Sequence, residues 1–199
     1  TTTDTVTGIF DSNATLFTFN PKEITVDNED PGFRIIESNQ KNKLQSFFKK
    51  ESEDKYKNLN FWMPPSRWTA TIGVNYYGDY INSAVYKKSG SGSNKTEWTT
   101  QIQIPGFYEV FVYTSELPMM GWRHRGGEEK KIQYYTVKHD DGEEEISVET
   151  GRGRQGWRTL GSFYFSKGEA KITLSDKGSE SNQIIFADAV KWVYTNNNK

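Results

Sequence analysis

Cysteine is absent from this chain of 199 residues, and its absence excludes several kinds of chemistry. Without it, no disulfide framework, Cys-based zinc site or thiol nucleophile can form. Histidine is almost as rare, with 2 residues, His124 and His139. No stretch approaches the roughly 20 apolar residues of a membrane span. The 25 Lys and Arg residues nearly balance the 26 Asp and Glu residues, so no general attraction to nucleic acid is expected.

Aromatic residues, in contrast, are abundant. They make up 15% of the chain, with 6 Trp, 11 Tyr and 12 Phe, although only 34% of all residues are hydrophobic. Large side chains allow a core to be built from few residues, and a chain of this length can bury such a core without disulfides. Disordered chains have few aromatics and a large net charge. We therefore expect a folded globular domain.

Alternation of apolar and polar residues predicts strands through most of the chain, and helical patterns are scarce. Predicted strands lie at 98–104, 107–114, 132–139, 145–150, 159–166, 170–175 and 184–194. Turn signals predict hairpins at Pro105-Gly106, at Asp140-Asp141-Gly142 and around Gly168. We predict an all-β fold of two packed antiparallel sheets. The residues expected in its core are Trp98, Ile102, Val110, Val148, Phe163, Leu174 and Val190.

Composition also divides the chain. Residues 1–21 are predicted to be an N-terminal arm or linker, residues 22–195 the β-sandwich, and residues 196–199 a tail. Residues 37–66 are polar and charged and are interpreted as an insertion into the sandwich. Within the insertion, the segment 40–57 carries apolar residues at helical spacing and is either one short helix or a loop.

A series of short motifs follows in order along residues 24–195. The most specific are Asp30-Pro-Gly-Phe33, Tyr77-Gly-Asp79, Gly156-Trp157 with Leu160-Gly161, and Ala187-Asp-Ala-Val190. The ordered set resembles the golvesin C-terminal-like domain, which is also found attached to bacterial xanthan lyases. The resemblance implies a galactose-binding-like jelly roll that serves as a carbohydrate-binding accessory module in exported polysaccharide-processing proteins. It also implies a secreted, periplasmic or cell-surface location. The insertion at 37–66 departs from the usual short run of the family.

Two basic loops are candidates for ligand binding. One contains Trp122, Arg123 and Arg125, and the other contains Arg152 and Arg154, followed by Arg158. Guanidinium groups bind carboxylates in a bidentate manner, and an aromatic ring can stack on a sugar, so this chemistry predicts an anionic, uronate-containing glycan. If 132–139 and 145–150 form a hairpin, both loops emerge at its open end. Trp157, beside the second loop, is interpreted as a core residue.

A third candidate site lies in the Tyr-rich stretch at 76–80. Tyr77 offers a stacking ring, and Asp79 offers an acceptor for sugar hydroxyl groups. The neighbouring Tyr76 and Tyr80 are expected to divide between the core and the surface.

Carboxylates near the first and last predicted strands, which are often neighbours in a jelly roll, suggest a structural calcium ion; no other cofactor is expected. Asp27 and Asp30 precede the first predicted core strand, and Asp188 interrupts an apolar strand. A buried carboxylate must be paired or bind a cation, and hard oxygen ligands suit calcium. In the competing interpretation, Asp188 accepts backbone N–H bonds and locks the strand ends.

A non-catalytic carbohydrate-binding module is therefore the first functional hypothesis, with a polysaccharide or oligosaccharide as partner and no catalytic residue assigned. A structural or protein-interaction spacer domain is the alternative. A polysaccharide lyase is a second alternative, because β-elimination needs a base and a cation, and His139, Tyr134 or Tyr135, and Arg123 are of the right types.

Overall fold

The computed structural model describes residues 22–38, 55–115, 131–151 and 153–195. Within these ranges the protein is all-β and contains no helix. The strands are β1 (Glu23–Val26), β2 (Phe33–Ile36), β3 (Thr69–Ile72), β4 (Ser83–Lys88), β5 (Lys95–Ile102), β6 (Gly106–Thr114), β7 (Lys131–His139), β8 (Gly142–Thr150), β9 (Gly156–Phe165), β10 (Gly168–Gly178), β11 (Ile184–Ala187) and β12 (Val190–Thr195). No helix in these ranges is long and apolar enough to cross a membrane.

The strands form a jelly-roll sandwich of antiparallel sheets. One sheet has the order β1-β12-β6-β9, the second has the order β2-β5-β10-β7-β8, and a three-stranded sheet has the order β11-β4-β3. The inward residues of these sheets form one hydrophobic cluster that includes Trp98, Tyr108, Ile172 and Trp192. The core therefore lies between the sheets, as expected for a sandwich. The predicted all-β fold is confirmed.

Large side chains on alternate positions build this core. In β6, Tyr108, Val110 and Val112 are buried, whereas the residues between them face outward and are partly exposed. Every residue expected in the core from the sequence is buried. The predicted positions are therefore correct on both main sheets.

Two of the predicted hairpins are wrong. β5 and β6 belong to different sheets, so the chain arches across the sandwich at Pro105-Gly106 instead of pairing back. Likewise, β9 and β10 lie in opposite sheets on either side of Gly168. A glycine near a turn is compatible with both connections, and inward residues on opposite sheets show the same alternation as inward residues on one sheet.

The third predicted hairpin is confirmed. β7 pairs with β8 from Lys131↔Thr150 at the open end to His139↔Gly142 at the turn. Ile146 packs against the core and Val148 is buried, as predicted.

The predicted last strand is divided into two. β11 pairs with β4, and β12 pairs with β1 and β6, so the chain changes sheet at Asp188-Ala189. The apolar residues of this stretch do not reveal the crossing, because β11 is wholly buried and β12 also buries Val190 and Trp192.

The interpretation of Trp157 as a core residue is wrong, and a bulge explains why. Val110 pairs with Gly161 and Phe111 pairs with Thr159, so Leu160 is the extra residue of β9. A bulge of this kind reverses the faces of the residues that precede it. Leu160 is buried, and Trp157 is half-buried on the outer face. The arm at 1–21, the tail at 196–199 and most of the segment 40–57 lie outside the described residues.

Candidate functional site

Several strand ends meet at one end of the sandwich. Thr114, at the end of β6, pairs with Gly156, at the start of β9. The Tyr113 N–H donates to the carbonyl of Ala189, which places the β11–β12 link beside the end of β6. Val26, the last residue of β1, pairs with Val190. The segments that leave these strand ends therefore begin close together.

Asp188 locks this end of the molecule. Its carboxylate is 1% exposed and accepts hydrogen bonds from the Tyr77 N–H, at 3.2 and 3.3 Å, and from Ser115 Oγ, at 2.8 Å. Its backbone carbonyl accepts the Trp98 indole N–H at 3.1 Å. Burial raises the pKa of Asp188 well above its usual value. Asp188 is therefore buried, as expected, and its bond from the Tyr77 N–H agrees with the competing interpretation, in which it accepts backbone N–H bonds.

The bond from Tyr77 to Asp188 holds a loop against β1 and so forms a pocket of about 330 Å³, here called the Tyr77 pocket. Its lining residues are Thr25, Asp27, Glu29, Asp30, Tyr77, Asp79, Tyr80 and Ile81. Tyr77 and Asp79, predicted as ligand-binding residues, thus share a pocket with Asp27 and Asp30, which were predicted as metal ligands. The sequence did not bring these two pairs together, because they are about fifty positions apart.

The tyrosines of this loop divide as expected. Tyr76 is buried, Tyr77 is half-buried and Tyr80 is 89% exposed. Tyr80 was not assigned to the site from the sequence, although its spacing from Tyr77 and Asp79 was a usable signal. Its free ring is the most accessible stacking surface in the Tyr77 pocket.

The pocket is acidic. Asp27 is 9% exposed, and its Oδ1 accepts the Asn28 N–H at 2.7 Å. Burial raises the pKa of Asp27 to about 7, and the neighbouring carboxylates add to this effect. Glu29 forms an ion pair with Lys55 and accepts a bond from Ser83, which lowers the pKa of Glu29 although its burial acts in the opposite direction. No lysine or arginine is among the described residues that line the pocket.

An aromatic cluster adjoins the pocket. The ring of Tyr77 lies 5.2 Å from that of Trp157 and 5.7 Å from that of Tyr113, and Tyr113 and Trp157 are 5.4 Å apart. The Lys191 ammonium lies 4.6 Å from the centre of the Trp157 ring. These contacts explain why Trp157 is partly covered on the outer face. They also pack the ring of Tyr77 against Tyr113 and Trp157.

The basic turn around residue 153 lies next to this cluster. Gln155 Nε2 donates to the carbonyl of Asn75 at 3.1 Å, which ties the turn to the loop of the Tyr77 pocket. Arg154 forms an ion pair with Glu149 at 2.9 Å, and Arg158 Nε donates to the carbonyl of Arg154 at 3.3 Å.

The remaining residues predicted to bind a ligand from the two basic loops, Trp122, Arg123, Arg125 and Arg152, lie outside the described residues. Their flanking strands are informative, however. On either side of the segment 116–130, Thr114 pairs with Gly156 and Lys131 pairs with Thr150. These flanking strand ends therefore lie close to the turn after β8. Contact of these basic side chains with a ligand stays a prediction.

The described residues offer no set of ligands that matches the predicted calcium site. Among the residues that the structure describes, no group of three or more His, Asp or Glu side chains could hold a metal ion. Asp27 and Asp30 line the Tyr77 pocket, whereas the carboxylate of Asp188 is occupied by Tyr77 and Ser115. The hydrogen-bonding interpretation of Asp188 accounts for its burial without a cation.

Fold and site together define a class of protein: a jelly-roll β-sandwich domain with a concave aromatic and acidic pocket at one end. The sequence profile of the Golvesin C-terminal domain matches residues 59–194, and the chain belongs to this family. No curated protein matches the sequence.

A solved structure shares this fold. The xanthan lyase of Paenibacillus superposes with a TM-score of 0.59 and 20% identity, covering 88% of this chain and 13% of that chain. A GH26-CBM35 β-(1,4)-mannanase of Podospora anserina gives a TM-score of 0.45 and 11% identity, covering 90% of this chain and 29% of that chain. At these identities the likeness concerns the fold alone, and this chain spans a small part of both enzymes.

Proposed function

We propose that this domain is a non-catalytic carbohydrate-binding module, and that the Tyr77 pocket is its binding site. The observation that carries the proposal is the combination of the free ring of Tyr80 with clustered carboxylate acceptors in one concave surface. Sugar rings offer apolar C–H faces to aromatic side chains and hydroxyl donors to carboxylates. Ligand sites typically combine an apolar wall with a few placed polar groups in this way.

We further propose that the domain has an accessory role in an exported bacterial polysaccharide-processing protein. Its family and its similarity in fold to a xanthan lyase support this role. On this proposal, residues 22–195 form the binding module, 37–66 is an insertion into it, and the whole acts at or outside the cell surface. The spacer alternative predicts the same fold without glycan affinity, so direct binding measurements distinguish the two.

A preference for uronates is the finer part of the sequence-based hypothesis. It depends on the two basic loops, of which Arg154 and Arg158 are described and already engaged with protein groups. The Tyr77 pocket, in contrast to these basic loops, is lined by carboxylates and is negatively charged. A glycan set must therefore contain neutral, amino and uronate sugars.

The lyase alternative gains little from the geometry. His139 lies at the turn of the β7–β8 hairpin, away from the open end, and packs 5.0 Å from the ring of Phe163. Tyr135 is buried in the core, its hydroxyl group accepts a hydrogen bond from the side-chain amide of Gln133 at 2.9 Å, and burial raises the pKa of Tyr135. A buried tyrosine with a raised pKa is a poor base for an external polymer.

A glycan array tests the proposal. We expect wild type to retain at least one sugar class, and Tyr80→Ala to lose most of that signal. Trp62→Ala is the matched control, because Trp62 is 79% exposed and does not line the pocket. Absence of binding to every glycan would favour the spacer alternative, and ultraviolet absorbance from unsaturated uronates would establish a lyase.

A further inference from the structure

The Tyr77 pocket concentrates negative charge. Three carboxylates, Asp27, Asp30 and Asp79, line it, and Glu29 is the fourth but is paired with Lys55. Like charges held close together repel, so such a cluster is costly unless a cation joins it.

Asp27 is the informative member of the cluster, because it is both buried and incompletely bonded. Its side chain is 9% exposed, and Oδ1 accepts the Asn28 N–H at 2.7 Å. No N–H, hydroxyl or ammonium group of the described residues donates to its second oxygen. The side chain lines the pocket, so that oxygen is available to a ligand there. A carboxylate oxygen that reaches the pocket can accept a charge-assisted hydrogen bond from an incoming ammonium group, which is stronger than a bond from a neutral donor.

The aromatic walls favour the same kind of ligand. Tyr77 and Tyr80 both line the pocket. The faces of aromatic rings attract cations, and the attraction grows when the cation is partly desolvated. A hydroxyl group gains only a hydrogen bond at this place, whereas an ammonium group gains the hydrogen bond, the charge of Asp27 and the aromatic walls.

We propose that the Tyr77 pocket selects an amino sugar, a hexosamine with a free protonated amine, whose ammonium group bonds to Asp27 between the rings of Tyr77 and Tyr80. This inference rests on the proposed function, and it names the sugar class for the same site. It places the ammonium group at Asp27, with Asp30 and Asp79 adding attraction from the rim.

The bound amine also accounts for the state of Asp27. Burial raises the pKa of Asp27 to about 7, so the pocket without a ligand holds this carboxyl partly protonated near neutral pH. An ammonium group beside it favours the ionised form. The ligand thereby satisfies a group that the fold alone leaves poorly solvated.

Monosaccharides test this inference without any assumption about linkage. We would titrate the full chain, followed by NMR, with the methyl glycosides of glucosamine, galactosamine, glucose, galactose and glucuronate at pH 7, where a substantial fraction of Asp27 is ionised. We expect at least one amino sugar to shift the backbone signals of Asp27, Tyr77 and Tyr80, with a Kd at least tenfold below that of its hydroxyl counterpart. Added salt should reduce the difference.

Two variants complete the test. Asp27→Asn should remove the preference for the amine and leave any affinity for the neutral sugar. Glu144→Gln, on the exposed part of β8, is the control and should change neither. Equal affinity for amino and neutral sugars, or a preference for glucuronate, would overturn the inference and leave the proposed function standing. If no sugar of any class binds, both fail.

Discussion

Asp27→Asn should stabilise this protein in a manner that depends on pH. The substitution removes the buried charge, while the asparagine Oδ1 can still accept the Asn28 N–H that Asp27 accepts at 2.7 Å. Burial raises the pKa of Asp27 from 3.8 to about 7 in the folded state. The native protein therefore holds a proton on Asp27 at pH values where the unfolded chain has released it.

The sign follows from linkage. Between pH 3.8 and about pH 7, the native state binds more protons than the unfolded state, so the free energy of unfolding falls as pH rises through this window. At about 1.4 kcal/mol for each tenfold change in proton affinity, the full displacement is worth about 4 kcal/mol. Because the Tyr77 pocket is open to water, we expect about 2–3 kcal/mol in practice.

Urea unfolding, followed by tryptophan fluorescence between pH 4 and pH 8.5, measures this difference. The two proteins should be nearly equal at pH 4, and the variant should be more stable by about 2–3 kcal/mol at pH 8. Asp188 also has a raised pKa, but it is present in both proteins, so the difference between them reports on Asp27.

Asp140→Asn supplies a control of opposite sign. Asp140 is fully exposed, and its bonds from Ser166 lower its pKa, so the wild-type residue contributes stability that is present at neutral pH and lost as pH falls. That variant should be slightly destabilised at neutral pH. If Asp27→Asn is as stable as wild type, or less stable, across the whole range, then Asp27 is not a buried charge and the account of the pocket is wrong.

Further substitutions, at Asp188 and Trp157 beside the site and at a buried ion pair elsewhere in the sandwich, are tested by urea unfolding. Asp188→Ala leaves the Tyr77 N–H and Ser115 without an acceptor, at about 1–3 kcal/mol for each buried group, whereas Asp188→Asn should cost less. Trp157→Ala should cost only about 1–2 kcal/mol, because it loses ring and cation contacts on an outer face; a loss as large as the about 3–5 kcal/mol expected for buried Trp98→Ala would mean that Trp157 is core. Elsewhere in the sandwich, Lys87 and Asp176 form a buried ion pair. Lys87→Ala leaves the Asp176 carboxylate without its cation and should cost about 3–5 kcal/mol; a neutral result would show that this ion pair contributes nothing.

Much of the fold follows from the alternation of side chains, because the same pattern that marks a strand also marks its inward face. That is why Val110, Phe163 and Leu174 were identified as core. The alternation does not predict which sheet a strand belongs to. The alternation in β5 and β6 is the same whether they pair with each other or face each other across the core, so Pro105-Gly106 was misinterpreted as a hairpin turn.

Trp157 illustrates a second limit. Counting back by twos from Phe163 places it on the inner face, and only the bulge at Leu160 reverses this. The bulge depends on Gly161, whose φ of 133° few other residues adopt, but a lone glycine in a strand does not reveal how the register shifts.

The site was predicted in pieces. Asp188 was correctly expected to be buried and hydrogen-bonded, because a single carboxylate in an apolar strand requires a partner. Tyr77 and Asp79 were expected to bind a sugar, whereas Asp27 and Asp30 were expected to bind calcium. Their shared pocket depends on the hydrogen bond from Tyr77 to Asp188, a contact over 111 positions that no local pattern encodes.

The central claim is that carbohydrate binds in the Tyr77 pocket. Its most direct test is NMR mapping of a glycan-array ligand on the full chain, with backbone signals assigned. The account predicts that the largest shifts fall within residues 25–30 and 77–81, and that Tyr80→Ala weakens binding about five- to tenfold, as expected for loss of one stacked ring. Shifts confined to other surfaces, such as the exposed Phe107–Tyr164 pair, with unchanged affinity in Tyr80→Ala, would contradict it.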